Sequence, residues 1–292
     1  MSLSRWRDTG STFDFDGRSI FVHAQGGGDE ALLLLHGLPT ASWDFEAMWP
    51  GLLRRFAHVI AFDFLGFGFS DKPYPHAYSI AEQAHLAERL LAARGVTRVH
   101  LLAHSYGVCV AQELLARARE GKAAARPCSV VLLNGSPFVE AHRASWLERF
   151  LLSPFGAVFV RVAGLRRFSA DLCALFGPQT QPGLIELHDY WTLLCLRDGR
   201  RVVRSLLHYT RERRALRSRW GEALRASGVP ARLIYGAADP VFGTAMVERY
   251  RAQMPNADVV LLDGIGHFPH VEAPDRTLRA VLAFHDSITE PR

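Results

Sequence analysis

Leu101-Leu102-Ala103-His104-Ser105-Tyr106-Gly107-Val108 is the stretch that decides how this 292-residue chain is read. Its first residues close an apolar run, 99–103, of the kind that fills a strand buried on both faces. From Tyr106 the apolar spacing is that of a helix, 106–118. Between the two stands the pattern small-x-Ser-x-Gly. A strand that turns into a helix over so few residues strains the backbone at the turn and leaves no room for side chains on its flanks. Ala103 and Gly107 are the small residues such a turn needs. Ser105 then projects beside a helix N-terminus, whose dipole favours developing negative charge. That makes it a candidate nucleophile.

Five-residue patterns recur by chance, so the weight of this one depends on partners elsewhere. A hydroxyl is a poor nucleophile until a base takes its proton. Of thirteen histidines, His267 is the best placed, in the glycine-rich loop Asp263-Gly264-Ile265-Gly266-His267-Phe268-Pro269 that leaves an expected strand at 258–262. A carboxylate must orient that imidazole. Asp239 sits in Ile234-Tyr235-Gly236-Ala237-Ala238-Asp239-Pro240, after one strand and before a helix, with room for one helix and one strand between it and His267. Its plain alternative is a helix N-cap ahead of Pro240. Taken together, three such residues at the C-terminal ends of strands lie where open α/β sheets carry their ligand sites. Acyl transfer also needs N–H donors for an oxyanion. The backbone of Tyr106 is one candidate. Leu38, in His36-Gly37-Leu38-Pro39 after the strand at 31–35, is the other, with a simple turn as its alternative.

Neighbouring residues fit structural roles better. His270 is crowded by Pro269 and an approaching helix, and His36 and His104 adjoin motif residues as packing or hydrogen-bonding partners. Ser70 lies near Gly66 and Gly68, but Lys72 stands where a small residue is required, and Asp63 precedes the serine in the chain. Gly26-Gly27-Gly28 is not followed by the Lys-Ser/Thr of a phosphate loop and reads as a turn.

Short apolar runs alternate with longer helical patterns, which calls for a mostly parallel, eight-stranded sheet flanked by helices. Strands are expected at 11–15, 19–24, 31–35, 58–63, 99–103, 129–134, 231–235 and 258–262, with helices at 45–55, 80–94, 106–118, 245–253 and 274–284. The rhythm breaks after Pro137. From 138 to 228 the chain is rich in Leu, Phe, Trp and Arg at helical spacing, and it reads as an α-helical insertion between two parts of one core, 1–137 and 229–292. Aromatic residues of the insertion, among them Trp146, Phe150, Tyr190 and Trp191, are candidates to wall a substrate pocket, with packing inside the insertion as the simpler role.

With 49% apolar and 22% charged residues, the composition excludes a disordered chain. The net charge of +5 is uneven: Phe138 to Arg225 holds fifteen Arg against eight acidic residues. No nucleic-acid motif accompanies these arginines, which alternate with apolar residues as on a solvated helical face, so no nucleic acid is expected as a partner. Four cysteines (Cys109, Cys128, Cys173, Cys195), together with a polar N-terminus lacking a signal-peptide core, point to free thiols and a cytoplasmic location. The apolar stretch from Leu151 to Leu165 is broken by Pro154, Gly156 and Arg161 and is too short to span a bilayer, which leaves only peripheral contact with a membrane. The sequence does not specify an oligomeric state.

His36-Gly37-Leu38-Pro39, the run Asp63-Phe64-Leu65-Gly66-Phe67-Gly68-Phe69-Ser70-Asp71-Lys72-Pro73, the Ser105 turn, Gly236-Ala237-Ala238-Asp239-Pro240 and Gly266-His267-Phe268-Pro269-His270 together resemble the α/β-hydrolase superfamily with a helical cap. The order Ser, Asp, His along the chain is the one such proteins use. The segment from His58 to Gln83 and Phe176-Gly177-Pro178-Gln179-Thr180-Gln181-Pro182 are most similar to the mesoderm-specific transcript protein family, a neighbour of haloalkane dehalogenases and epoxide hydrolases. The resemblance implies an α/β-hydrolase fold over nearly the whole chain. It departs at one position: animal members carry aspartate where this chain has Ser105. A serine attacking an alkyl halide or epoxide would leave a stable ether, whereas an acyl-serine can be hydrolysed, so acyl substrates are favoured.

The expectation is a serine hydrolase that cleaves small to medium apolar carboxylic esters through Ser105, His267 and Asp239, with no metal or organic cofactor. The same residues would also serve lactone, amide or carbon–carbon hydrolysis or perhydrolysis, and a ligand receptor on this fold is a rival of a different class. Cyanohydrin lyase chemistry is disfavoured because the insertion has no lysine.

Overall fold

Four consecutive leucines, Leu32 to Leu35, set the layering. Alternate residues of a strand point to opposite faces, so Leu33 and Leu35 enter one apolar core and Leu32 and Leu34 the other. A strand that is apolar on both faces must be covered on both, and it is. The computed structural model describes residues 1–138, 156, 160 and 162–289. Helices Ile80–Ala93 and Tyr106–Arg119 contribute to the core on one face, and Trp49–Arg55 and Pro274–Thr289 to that on the other.

Eight strands form one sheet in the order β1-β2-β4-β3-β5-β6-β7-β8. They are β1 Ser11–Phe15, β2 Arg18–Gly26, β3 Glu30–Leu35, β4 His58–Phe62, β5 Arg98–His104, β6 Arg126–Leu133, β7 Ala231–Gly236 and β8 Asp258–Leu262. β2 runs antiparallel to both its neighbours, and every pairing from β4 through β8 is parallel. The C-terminal ends of β3, β5, β7 and β8 therefore open on one edge of the sheet, and the residues singled out above lie there.

Two expected boundaries shift for physical reasons. β6 ends at Leu133 because Asn134 adopts φ +35°, which the ladder cannot continue. The helix expected at 45–55 is a 3₁₀ turn, Ser42–Phe45, followed by a helix from Trp49, because Pro50 has no N–H and fits only a first helical turn.

Between β6 and β7 the described residues form helices and no strand: Leu165–Cys173, Leu184–Cys195, Val203–Leu206, Tyr209–Ala215 and Arg217–Ala226, with a 3₁₀ turn at Leu196–Arg201. The last of these packs on the helix after Ser105. Trp220 is buried and donates its indole N–H to Glu113 (2.8 Å), while the Gln112 amide donates to the Trp220 carbonyl. Among the described residues no helix is long and apolar enough to cross a membrane, and the four cysteines are all unpaired.

Candidate active site

β5 delivers Ser105 at the turn into helix Tyr106–Arg119. The residue has φ +47° and ψ −105°, a conformation that costs an L-residue energy and is held by its surroundings. Its N–H donates to the Leu133 carbonyl of β6 (3.1 Å). Two glycines make the close approach feasible. A Cβ on Gly107 would stand 2.3 Å from the Leu35 carbonyl oxygen, and one on Gly37 would stand 2.4 Å from His104 Nδ1 and 3.2 Å from Ser105 Cβ.

The loop after β8 brings His267 to the serine, with Nε2 3.1 Å from Ser105 Oγ. On its other side Nδ1 lies 3.2 and 3.1 Å from the two Asp239 carboxylate oxygens, at the end of β7. A carboxylate only accepts, so Nδ1 carries the proton and Nε2 is left with a lone pair facing the hydroxyl. Both His267 and Asp239 are buried. Burial alone would raise the Asp239 carboxyl. The adjacent His267, the Val241 N–H (2.8 Å) and the Asn134 amide (3.0 Å) outweigh it and hold the group below its usual range. Asp239 is therefore an ionised acceptor within a buried hydrogen-bonded row.

The imidazole is also fixed from behind. His267 N–H donates to the Leu175 carbonyl (2.8 Å), and its carbonyl accepts from His104 Nε2 (2.9 Å). Burial and the neighbouring His270 and His267 push His104 well below the ordinary histidine range, so it stays neutral and acts as a hydrogen-bond donor. His36 likewise bridges the backbone: Nε2 accepts from Phe64 N–H (3.0 Å). Asp63 accepts from Ser42 and Phe69 N–H groups, and Ser70 donates to the Asp63 carbonyl, so both serve the loops. His270 is wholly buried against Phe45.

Tyr106 begins the helix after Ser105, and among the described residues no acceptor takes its N–H or that of Leu38.

A cavity of about 300 Å³ opens on Ser105 and His267. Its walls are mainly apolar, with Leu38, Phe168, Leu172, Trp191, Leu194, Leu207 and Phe242 among them. Trp191 lines it as the sequence suggested. Tyr190 does not. Successive helical residues point about 100° apart, and Tyr190 turns instead into the core, 4% exposed, with its ring 5.3 Å from Trp43. Trp146 and Phe150 lie outside the described residues.

Two residues that local pattern did not reveal belong to the site. Asn134 donates to Asp239 and to the Gly266 carbonyl (3.0 Å each), and it accepts from Gly236 N–H (2.8 Å). Its only sequence signal is its place at the end of β6, beside the strand that carries the acid. Glu272, five residues beyond His267, accepts hydrogen bonds on both sides of the histidine. A carboxylate so soon after the loop was the available sign.

Residues 32–280 match the Alpha/beta hydrolase family. The mesoderm-specific transcript protein of Mus musculus is 41% identical over 98% of this chain and 88% of its own length. The putative hydrolase LipZ of Mycobacterium tuberculosis is 38% identical over 97% of each chain. Among solved structures, the haloalkane dehalogenase DatA of Agrobacterium tumefaciens superposes with a TM-score of 0.79 at 20% identity, covering 99% of this chain and 100% of that one. At that identity the likeness speaks for the fold alone.

Proposed function

This chain belongs to the alpha/beta hydrolase family, and we propose that it is a serine hydrolase that cleaves carboxylic esters of small to medium apolar substrates. The observation that carries the reading is the hydrogen-bonded row Ser105–His267–Asp239, its last two members buried, each contact between 3.1 and 3.2 Å. In this reading His267 Nε2 takes the Ser105 proton as the oxygen attacks the ester carbonyl. The Leu38 and Tyr106 N–H groups receive the oxyanion, and His267 returns the proton to the departing alcohol. Water, activated by the same nitrogen, then releases the acid from the acyl-serine. Asp239 holds the imidazole in the tautomer that leaves Nε2 free and offsets its charge when protonated.

The substrate class follows from the cavity. At about 300 Å³ it sits at the small end of ligand sites. Its main walls are aliphatic and aromatic, which favours uncharged acyl groups. The segment 138–228 is the helical lid in this reading, and Phe168, Leu172 and Trp191 are among the residues it brings to the pocket.

Turnover of p-nitrophenyl esters graded in acyl length tests the proposal. Short and medium esters should be hydrolysed, and Ser105→Ala should abolish turnover while the far-ultraviolet circular dichroism stays unchanged. Undiminished turnover in Ser105→Ala would reject Ser105 as nucleophile. Covalent labelling by a fluorophosphonate without ester turnover would favour a receptor.

A further inference from the structure

Glu272 joins the loop of His267 to the connector of two helices that wall the cavity. One carboxylate oxygen accepts from Gly266 N–H (2.8 Å), from Gly177 N–H (2.7 Å) and from the Thr180 hydroxyl. The other accepts from Phe268 N–H (2.9 Å). Gly266 and Phe268 flank His267. Gly177 and Thr180 lie between helices Leu165–Cys173 and Leu184–Cys195, which supply Phe168, Leu172, Trp191 and Leu194 to the cavity wall.

The two backbones meet without side chains between them. A Cβ on Gly266 would stand 2.5 Å from both Gly177 N and the Leu175 carbonyl oxygen, and one on Gly177 would stand 2.1 Å from the Gly264 carbonyl oxygen. The Leu175 carbonyl accepts the N–H of His267 itself, and Phe176 stacks on Phe268 with ring centres 5.0 Å apart. A single carboxylate thus completes a seam running from the cavity wall to the base.

We propose that Glu272 is a positioning residue that ties the register of the His267 imidazole to the seating of the connector 174–183, so that the row to Ser105 and Asp239 is aligned only while that connector is docked. The proposal rests on His267 being the base. A charged carboxylate suits the task because its four donors surround both oxygens. A glutamine offers one oxygen, and its NH₂ group would face an N–H on one side or the other.

The test uses the full chain with Glu272→Gln and Thr180→Val, the second touching only the connector side. Chain folding is checked by thermal unfolding well above the assay temperature. Ring ¹⁵N chemical shifts of His267, assigned with His267→Gln, are followed against pH, a readout that needs no turnover. In Glu272→Gln the His267 titration midpoint should fall, because the imidazolium loses both the nearby Glu272 charge and its alignment with Asp239; the neutral exchange Thr180→Val isolates the alignment. Thr180→Val should move it the same way by less. On esters kcat should drop tenfold to a hundredfold in Glu272→Gln, the scale of a misplaced catalytic group, with KM changed less than about threefold. Folded variants with a wild-type titration midpoint and wild-type kcat overturn the proposal. If Glu272→Gln does not fold, Thr180→Val decides alone. A wild-type protein that neither turns over esters nor is labelled by a fluorophosphonate overturns the esterase reading, while the His267 titration still judges Glu272.

Discussion

Replacing Asn134 with aspartate puts a second carboxylate against Asp239 and turns one buried hydrogen bond into a proton-binding pair. The Asn134 amide nitrogen stands 3.0 Å from the Asp239 carboxylate. Two charges at that separation repel by about 5 kcal/mol at an effective dielectric of about 20. At about 1.4 kcal/mol per pH unit this is about four units. The pair in Asn134→Asp should therefore hold one proton up to about pH 8, whereas an unfolded aspartate loses its proton near pH 4. The folded state then binds more protons than the unfolded state across that window. Stability relative to wild type must fall as pH rises, by about 1.4 kcal/mol per unit between about pH 4 and 8. Urea unfolding at half-unit intervals measures this. Asn134→Ala is the control: it strands Gly236 N–H and the Gly266 carbonyl, costing about 3 kcal/mol with no slope between pH 5 and 8. Parallel wild-type and Asn134→Asp curves from pH 5 to 8 would refute the close contact between residue 134 and the acid.

Gly107→Ala should cost about 1–3 kcal/mol and lower kcat, because the new methyl must push the helix after Ser105 away from the Leu35 carbonyl; a thermal midpoint and kcat both equal to wild type would contradict the steric account of the turn. His285 is buried, and burial, reinforced by His100, Arg55 and Arg232, pushes it down to about 3. The unfolded chain therefore takes up this proton first as pH falls below about 6.5, and stability should drop by about 2 kcal/mol from pH 7 to pH 5 through this group alone. In His285→Leu that part of the loss should vanish, as read from urea midpoints at the two pH values.

The sheet and the candidate site were legible in the sequence to different depths. Buried strands such as Leu32 to Leu35 and the turn at Ser105 are local events, in which steric demand confines the residue types over a few positions. All eight strands fall where the apolar runs stand, β1 and β8 with the expected bounds and the others with ends adjusted by one to three residues, and Ser105, His267 and Asp239 meet where those strands end. Asn134 was not legible as a site residue, because its partners lie about a hundred residues away and nothing in its own neighbourhood differs from an ordinary strand end. Tyr190 and Trp191 show a second limit. The helix Leu184–Cys195 is apolar around much of its circumference, so periodicity alone does not say which aromatic faces the cavity and which faces Trp43.

In the proposed reaction Ser105, activated by His267, attacks a carbonyl. Intact-protein mass spectrometry after a brief exposure to a fluorophosphonate, followed by peptide mapping, tests it most directly. A single phosphonyl adduct should form on Ser105, be lost in Ser105→Ala and form far more slowly in His267→Gln. An adduct on another residue, or equal labelling without His267, would contradict it.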